Sequence, residues 1–296
     1  EVQNINLADS LPSQLRYYFI WQMYHSHRNE LERSTEMNRR LVKLREDNAD
    51  RVVMNPMDYR TDLANLVGKL VLLKEYAEAE RYLPKLESIP VVGRRQEVTH
   101  FCEVEIQHML FYMNTGQLDK VLDREERILD GLKRYQSQMT NNTILTMLYN
   151  LGVTHMVLAD DGRATHYFDR IRNMGHLAER TDLQGISRLL RLLLLCEDKD
   201  HMNFGHFLRN SKRFFGKGDR FYDMESTVYE WLREHAPVVG TMEKRASFKN
   251  LTERIRSYLD RRILGAEEIM LWSSAKARGI PMKKVFEEQL AVHMNK

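Results

Sequence analysis

Apolar positions along this chain return every three or four residues and rarely every second one. In LANLVGKLVLLKEYAEAERYLPKL, from Leu63 to Leu86, the residues Tyr76, Ala79, Leu83 and Leu86 stand three, four and three apart, which is the stripe of an amphipathic helix. FYMNTGQLDKVLDREERIL, from Phe111, repeats the pattern with Leu118, Val121 and Ile128 after a turn at Asn114 to Gly116, and Glu125 interrupts its stripe. ILTMLYNLGVTHMVLADDGRATHYFDRI, Ile144 to Ile171, predicts a helix with Leu148, Leu151 and Gly152, a turn at Asp160 to Gly162, and a second helix with Ala164, Phe168 and Ile171. A more degenerate copy has Leu192 and Leu195 before EDKD, then Phe204 and Leu208. No run keeps the strict alternation of a strand.

Helix boundaries agree with this reading. Ser10-Leu-Pro-Ser supplies capping residues before QLRYYFIWQMY, Pro84 and Pro90 sit near a helix end, and Gly116, Gly162, Gly216 and Gly279-Ile-Pro punctuate later turns. A single helical hairpin cannot bury its apolar face alone, so consecutive hairpins must stack into a continuous core. After Pro237, VVGTMEK reads as a linker, with further helices from Glu243 to Met294. The expected fold is all-α, a right-handed superhelix of stacked helical hairpins. Residues 1–237 form the repeats and residues 238–296 the C-terminal capping helices of the same elongated domain.

These residues resemble the tetratricopeptide-like helical repeats, which place a small residue on each helix where backbones approach, a Gly or Asp turn, and an aromatic on the second helix. Gly152, Ala79, Ala164 and Phe168 match, whereas Val67 and Met109 replace the small residue of the first helix, and Val121 and Phe204 that of the second. The corresponding positions Ala79, Val121, Ala164 and Phe204 are 42, 43 and 40 residues apart. The family period is about 34, so longer helices are expected. NPMDYRTDLANLVGKLVLLKEY, FLRNSKRFFGKGDRFYDME and IMLWSSAKARGIPMKKVFEE together resemble a group of uncharacterised bacterial helical-repeat proteins. That resemblance implies a fold and carries no activity.

Composition narrows the classes further. A chain of 296 residues with 43% hydrophobic and 29% charged residues can bury an ample core. LLRLLLLC at Leu189 to Cys196 falls far short of the ~20 residues of a membrane span, so no membrane partner is expected. Cys102 and Cys196 form no CxxC, and a reducing, cytoplasmic setting is the expectation. EVQNINLADSLPSQ opens without Met or a signal pattern, which leads us to expect a processed end or an inner part of a longer protein with an upstream domain. The triplets at Asn141 and Asn250 match a glycosylation motif too short to outweigh chance.

The chemical candidates are sparse. His155, His166, Asp160 and Asp161 could suggest a metal, but two histidines eleven apart on opposite helices need not converge, and turn and cap chemistry explains Asp160-Asp161-Gly162. His25 with His27, and His201 with His206, have spacings that turn the rings to different helix faces. Cys102 and His108 are too loosely related for thiolate activation. VGKLV and FGKGDR lack the frame of a phosphate loop, and Glu125-Glu126, Glu267-Glu268 and Glu287-Glu288 read as solvated faces. Neither a catalytic residue nor a cofactor is expected, and the chain reads as a non-enzyme.

Two surfaces are the candidates for binding. Repeat register places Ala64, Gly68 and Val71, then Ile106, Leu110 and Met113, then Tyr149, Val153 and Met156 on first-helix faces, an apolar and partly Met-rich strip suited to a partner helix or peptide. The competing possibility is that longer helices close over these positions and make them core. Charge gathers late: residues 1–199 hold 27 Lys and Arg against 29 Asp and Glu, and residues 200–296 hold 18 against 13. RNSKRFFGKGDRFYD interleaves Arg209, Lys212, Arg213, Lys217 and Arg220 with four aromatics, as stacking surfaces for nucleic acid do, or as a helix with buried aromatics and wet cations. A formal net charge of +3 is small for a nucleic-acid binder, so a protein or peptide is the expected partner, and Arg209, Arg213 and Arg220 are expected to pair with carboxylates of neighbouring helices or with acidic groups on a protein partner. The sequence therefore predicts a non-enzymatic scaffold that binds protein or peptide. The alternative is a regulatory or sensor module of a longer protein, associated with nucleic acid through an upstream domain.

Overall fold

A computed structural model describes residues 10–49, 56–174, 180–196, 201–216, 223–235, 241–261 and 263–294. Among the described residues every regular element is a helix. In order they are α1 (Leu11–His27), α2 (Leu31–Asp47), α3 (Pro56–Leu72), α4 (Tyr76–Glu87), α5 (Arg94–Asn114), α6 (Leu118–Asp123), α7 (Glu125–Tyr135), α8 (Asn141–Val157), α9 (Asp161–Asn173), α10 (Thr181–Leu195), α11 (His201–Phe215), α12 (Asp223–His235), α13 (Thr241–Leu259), α14 (Ala266–Arg278) and α15 (Met282–Met294). None is long and apolar enough to cross a membrane.

Short connections make consecutive helices pack as hairpins: α1 on α2, α3 on α4, α8 on α9, α10 on α11 and α13 on α14. One turn recurs between them. Asn29, Lys74, Gly116 and Ala159 all take left-handed backbone, with φ of 57°, 64°, 75° and 61°. Each is followed by a residue whose N–H reaches back to the last helical turn: Glu30 to the His25 carbonyl at 2.9 Å, Glu75 to Leu70 at 2.9 Å, Gln117 to Tyr112 at 2.8 Å and Asp160 to His155 at 2.9 Å. This is the Schellman ending, which satisfies carbonyls that the helix leaves free. The four positions lie 45, 42 and 43 residues apart. At the last of these turns the sequence expectation is corrected. Gly162 lies within α9, and Ala159 takes the left-handed conformation. Asp160 does cap α9, its carboxylate accepting from the Arg163 N–H at 3.1 Å.

The chain divides into two compact units, residues 1–117 with 127–139, and residues 118–126 with 140–296. The division passes through α7 and lies well before the expected linker after Pro237, and the C-terminal helices belong with the second unit. In the first unit Val42, Leu63, Leu66, Leu70, Ala79, Leu86, Val104 and Phe111 form one apolar cluster from α2 to α5. Beside it the Arg60 guanidinium is buried and paired with Glu103, and Arg39 bridges to Glu75 and Glu78 near α4 at 2.8 and 2.9 Å.

In the second unit α8 is apolar on every side, so one neighbouring hairpin cannot cover it. Twelve of its residues between Ile144 and Val157 are buried. Helix α9 covers one side, and α15 packs back on α8 as well. The Tyr149 hydroxyl donates to Glu268 of α14 at 2.9 Å. Gly152 lets α9 approach closely: a Cβ there would meet the Phe168 ring at 2.7 Å. Gly265, with φ of 86°, opens α14, and a Cβ there would meet Ile186 of α10 at 2.0 Å. The positions aligned by the repeat reading, Val67, Ala79, Met109, Val121, Ala164 and Phe204, are all buried.

Candidate functional site

The structure separates the residues expected to line one binding strip. Tyr149, Val153 and Met156 are only 3%, 4% and 2% exposed, so this part of the expected groove is interior. The physical reason is the all-round apolar character of α8, which draws helices from the chain's own C-terminal region onto its second face. Ala64 and Val71 belong to the core of the first unit, and Leu110 packs against that core. Ile106, Leu110 and Met113 of α5 are half-buried. Arg209 and Arg213 are exposed on α11, and among the described residues neither pairs with a carboxylate of a neighbouring helix. Phe214 and Phe215 of the same helix are core residues, 7% and 1% exposed, so these two rings are not available for stacking on bases, and Phe221 and Tyr222 lie outside the described residues. Arg220 lies outside the described residues.

The histidine candidates resolve into structural contacts. His155 is buried with one ring nitrogen, Nε2, 3.0 Å from Glu125 and the other, Nδ1, 3.3 Å from Asp160, on opposite sides of the ring. It stacks on Tyr167 with ring centroids 5.7 Å apart. The Tyr167 hydroxyl and Arg163 also donate to the Glu125 carboxylate, Arg163 at 2.8 Å. Glu125 is 6% exposed, which corrects its reading as part of a solvated face. Burial opposes its ionisation, but the hydrogen bonds of Tyr167 and His155 and the Arg163 charge outweigh it and hold the carboxyl below its usual value. His166 is exposed and meets the Tyr167 ring edge-on, with centroids 5.5 Å apart. Cys102 is no activated thiol: burial, then the charge of Glu103, pushes it up to about 11.

Helix α1 provides a surface of another kind. Its sequence, LPSQLRYYFIWQMYHSH, contains no acidic residue and is apolar nearly all round. Ser10 caps it, accepting from the Ser13 N–H. One polar residue fastens it to the first unit. Gln22 is the single buried residue of α1; its carbonyl accepts from Ser34 of α2 at 2.8 Å and its side chain from Lys69 of α3. Burial pushes the Lys69 ammonium down to about 8, against the pull of Asp62.

The outward face of α1 carries Phe19, Ile20, Met23 and Tyr24, which are 43%, 62%, 44% and 47% exposed. Spacings of one, three and one put them on one stripe. Tyr17, Trp21, Tyr24 and His25 form a chain of ring contacts beside it, with centroids 6.1, 5.2 and 5.4 Å apart in succession. A large aromatic side chain can bury about 150–250 Å², so Phe19 and Tyr24 together with the large aliphatic Ile20 and Met23, each about half exposed, offer on the order of 400 Å² of apolar surface. That equals the largest apolar patch of a typical monomer, and its aromatic and Met content is that of an interface centre. The rim is basic: Arg16 and His27 are exposed, and Arg28 and Arg33 surround Glu30.

Sequence reasoning assigned this stretch only a helix start. The signal was present in QLRYYFIWQMY, since a helix that is apolar nearly all round cannot hide every face against one neighbour. Comparison of the chain with family models, curated proteins and solved structures finds no match.

Proposed function

We propose that the protein is a tetratricopeptide-like scaffold of stacked helical hairpins, and that the outward face of α1 binds the apolar stripe of an amphipathic helix from a partner protein, flanked by acidic residues. The observation that carries this reading is the exposed strip of Phe19, Ile20, Met23 and Tyr24. Its area of about 400 Å² contributes roughly 10 kcal/mol at ~25 cal/mol per Å², against an association cost of about 4–15 kcal/mol. The strip alone therefore supports modest affinity, and charges at its edge must add selectivity. Those charges favour a different chain over a second copy. Two α1 helices packed on each other would bring Arg16 and His27 together with no acidic residue of α1 to offset them.

A photoactivatable side chain placed at Ile20, with Glu80 as an exposed control site, tests the proposal in cells that make the full-length protein. The expected result is a cross-link from Ile20 alone to an amphipathic, acid-flanked helical segment, whose synthetic copy binds the wild-type protein and not Ile20→Glu. Cross-links to a second copy of this chain, or equal capture from Glu80, would overturn it.

A further inference from the structure

Where α1, α2 and α3 meet, one amine is held in an unusual setting. Lys69 of α3 is partly exposed, and its Nζ donates to Gln22 Oε1 of α1 at 2.5 Å and to Asn38 Oδ1 of α2 at 3.1 Å. Both acceptors are neutral amides, and Gln22 and Asn38 are only 4% and 0% exposed. Asp62 of the same helix is the carboxylate whose charge reaches Lys69, but Arg45 of α2 holds it at 2.6 Å. Among the described residues no carboxylate lies within ion-pair distance of the Lys69 Nζ. A half-buried ammonium whose contacts are neutral amides loses hydration without gaining a counter-ion, which penalises its charged form.

That setting makes the amine a nucleophile near neutral pH. Burial pushes it down to about 8 from the usual 10.5. At pH 7.5 about a quarter of such an amine is neutral, against about 0.1% of an ordinary lysine. Only the neutral form has a lone pair with which to attack an electrophile. The same nitrogen also fastens α1. Gln22 is the single buried residue of that helix, and its carbonyl accepts from Ser34 while its side chain accepts from Lys69.

We propose that Lys69 is an acylation site, taking an acetyl group from a small activated donor, an acyl phosphate or an acyl thioester, and that the modification loosens α1 from α2 and α3. The Nζ lone pair attacks the carbonyl carbon of the donor and forms an N–C bond. The C–O or C–S bond breaks, its electron pair leaves on phosphate or thiolate, and the surplus proton on nitrogen passes to water or to the thiolate. The amide product keeps one N–H where the ammonium has three, so it satisfies Gln22 or Asn38 and not both. Its acetyl group also adds bulk against two nearly fully buried side chains. The site stands whatever the outward face of α1 binds.

Treatment of the purified full chain with acetyl phosphate and, in a separate arm, with acetyl coenzyme A, followed residue by residue by mass spectrometry, tests the site and separates the two donor classes. Lys249, exposed on α13, is the comparison. At pH 7.5 Lys69 should react at least about tenfold faster than Lys249 with one donor or both, since weaker basicity and partial burial take back part of an advantage of about 200-fold in neutral amine. That ratio should fall as pH rises from 8 to 10, where Lys69 is already neutral and ordinary lysines are still losing protons. Hydrogen exchange should then run about tenfold or more faster at the α1 amides from Tyr17 to Tyr24 in acetylated wild type than in acetylated Lys69→Arg, which keeps the charge and is not acylated. Lys69 reacting no faster than Lys249 with both donors, a ratio that does not change with pH, or equal α1 exchange in the two treated proteins would each overturn the proposal. If Lys69→Arg does not fold, Asn38→Asp carries the test. A carboxylate beside Nζ stabilises the ammonium, so the rate advantage at pH 7.5 should disappear, and its persistence would overturn the proposal.

Discussion

Replacing Ala159 with glycine should stabilise this protein, although alanine-to-glycine changes usually do the opposite. Ala159 is exposed and holds φ at 61°, where an L side chain crowds its own backbone at a cost of roughly 1–2 kcal/mol that glycine avoids. Glycine gives back about 0.4–1 kcal/mol through the greater freedom of the unfolded chain. The net gain is about 0.5–1 kcal/mol, and Lys74→Gly should show the same sign, because Lys74 is likewise exposed with φ at 64°. Gly116→Ala, at the equivalent turn, should destabilise by a similar amount. Asn29→Gly should change little, since asparagine tolerates this conformation. Urea denaturation followed by far-ultraviolet circular dichroism measures all four, and a midpoint change without a slope change identifies a stability effect. Loss of stability in Ala159→Gly together with a neutral Gly116→Ala would refute the shared turn.

Three further outcomes follow from the packing. Gly152→Ala should destabilise the second unit despite the better helix propensity of alanine, because its Cβ would lie 2.7 Å from the Phe168 ring; overpacking costs about 1–3 kcal/mol, and Phe168→Leu should rescue it in a double-mutant cycle. Stability of the first unit should rise with pH from about 8 toward 10.5, because burial holds Lys69 down to about 8 from its ordinary 10.5. In that window the unfolded chain keeps a proton that the folded chain has lost, and Lys69→Met should flatten the slope in pH-dependent denaturation. Tyr149→Glu should unfold the second unit rather than act as a surface change, because it buries a carboxyl beside Glu268, whose own carboxyl burial already pushes up; a folded, cooperative Tyr149→Glu protein in thermal melts would contradict the interior placement of α8.

Local signals carried the hairpins, and they did so for physical reasons. The positions Ala79, Val121 and Ala164, 42 and 43 residues apart, share their period with the left-handed turn residues Lys74, Gly116 and Ala159, also 42 and 43 apart. Core spacing and turn spacing agree because both belong to one hairpin unit. The turn residues themselves were less legible. Lysine and alanine at positive φ carry no sequence mark, and Gly162 attracted an assignment that belonged to Ala159. The groove failed at Tyr149, Val153 and Met156 because a first-helix face can be open or covered by helices far along the chain. Periodicity within Ile144 to Val157 is the same either way. Glu125 was missed for a related reason: its partners His155, Arg163 and Tyr167 lie 30 to 42 residues away.

The α1 strip and the α5 positions offer rival surfaces for the same kind of partner. The decisive measurement is the affinity of the helix captured from Ile20, in synthetic form, for the wild-type chain, for Ile20→Glu with Met23→Glu, and for Leu110→Glu with Met113→Glu. A minority of interface residues cost more than about 1 kcal/mol on removal, and central anchors about 2 or more, so the α1 pair, as the central anchors, should weaken binding at least about thirtyfold while both variants keep their helicity. The α5 pair should leave the dissociation constant within about threefold of wild type. Binding that survives the α1 changes and is abolished by the α5 changes would contradict the account.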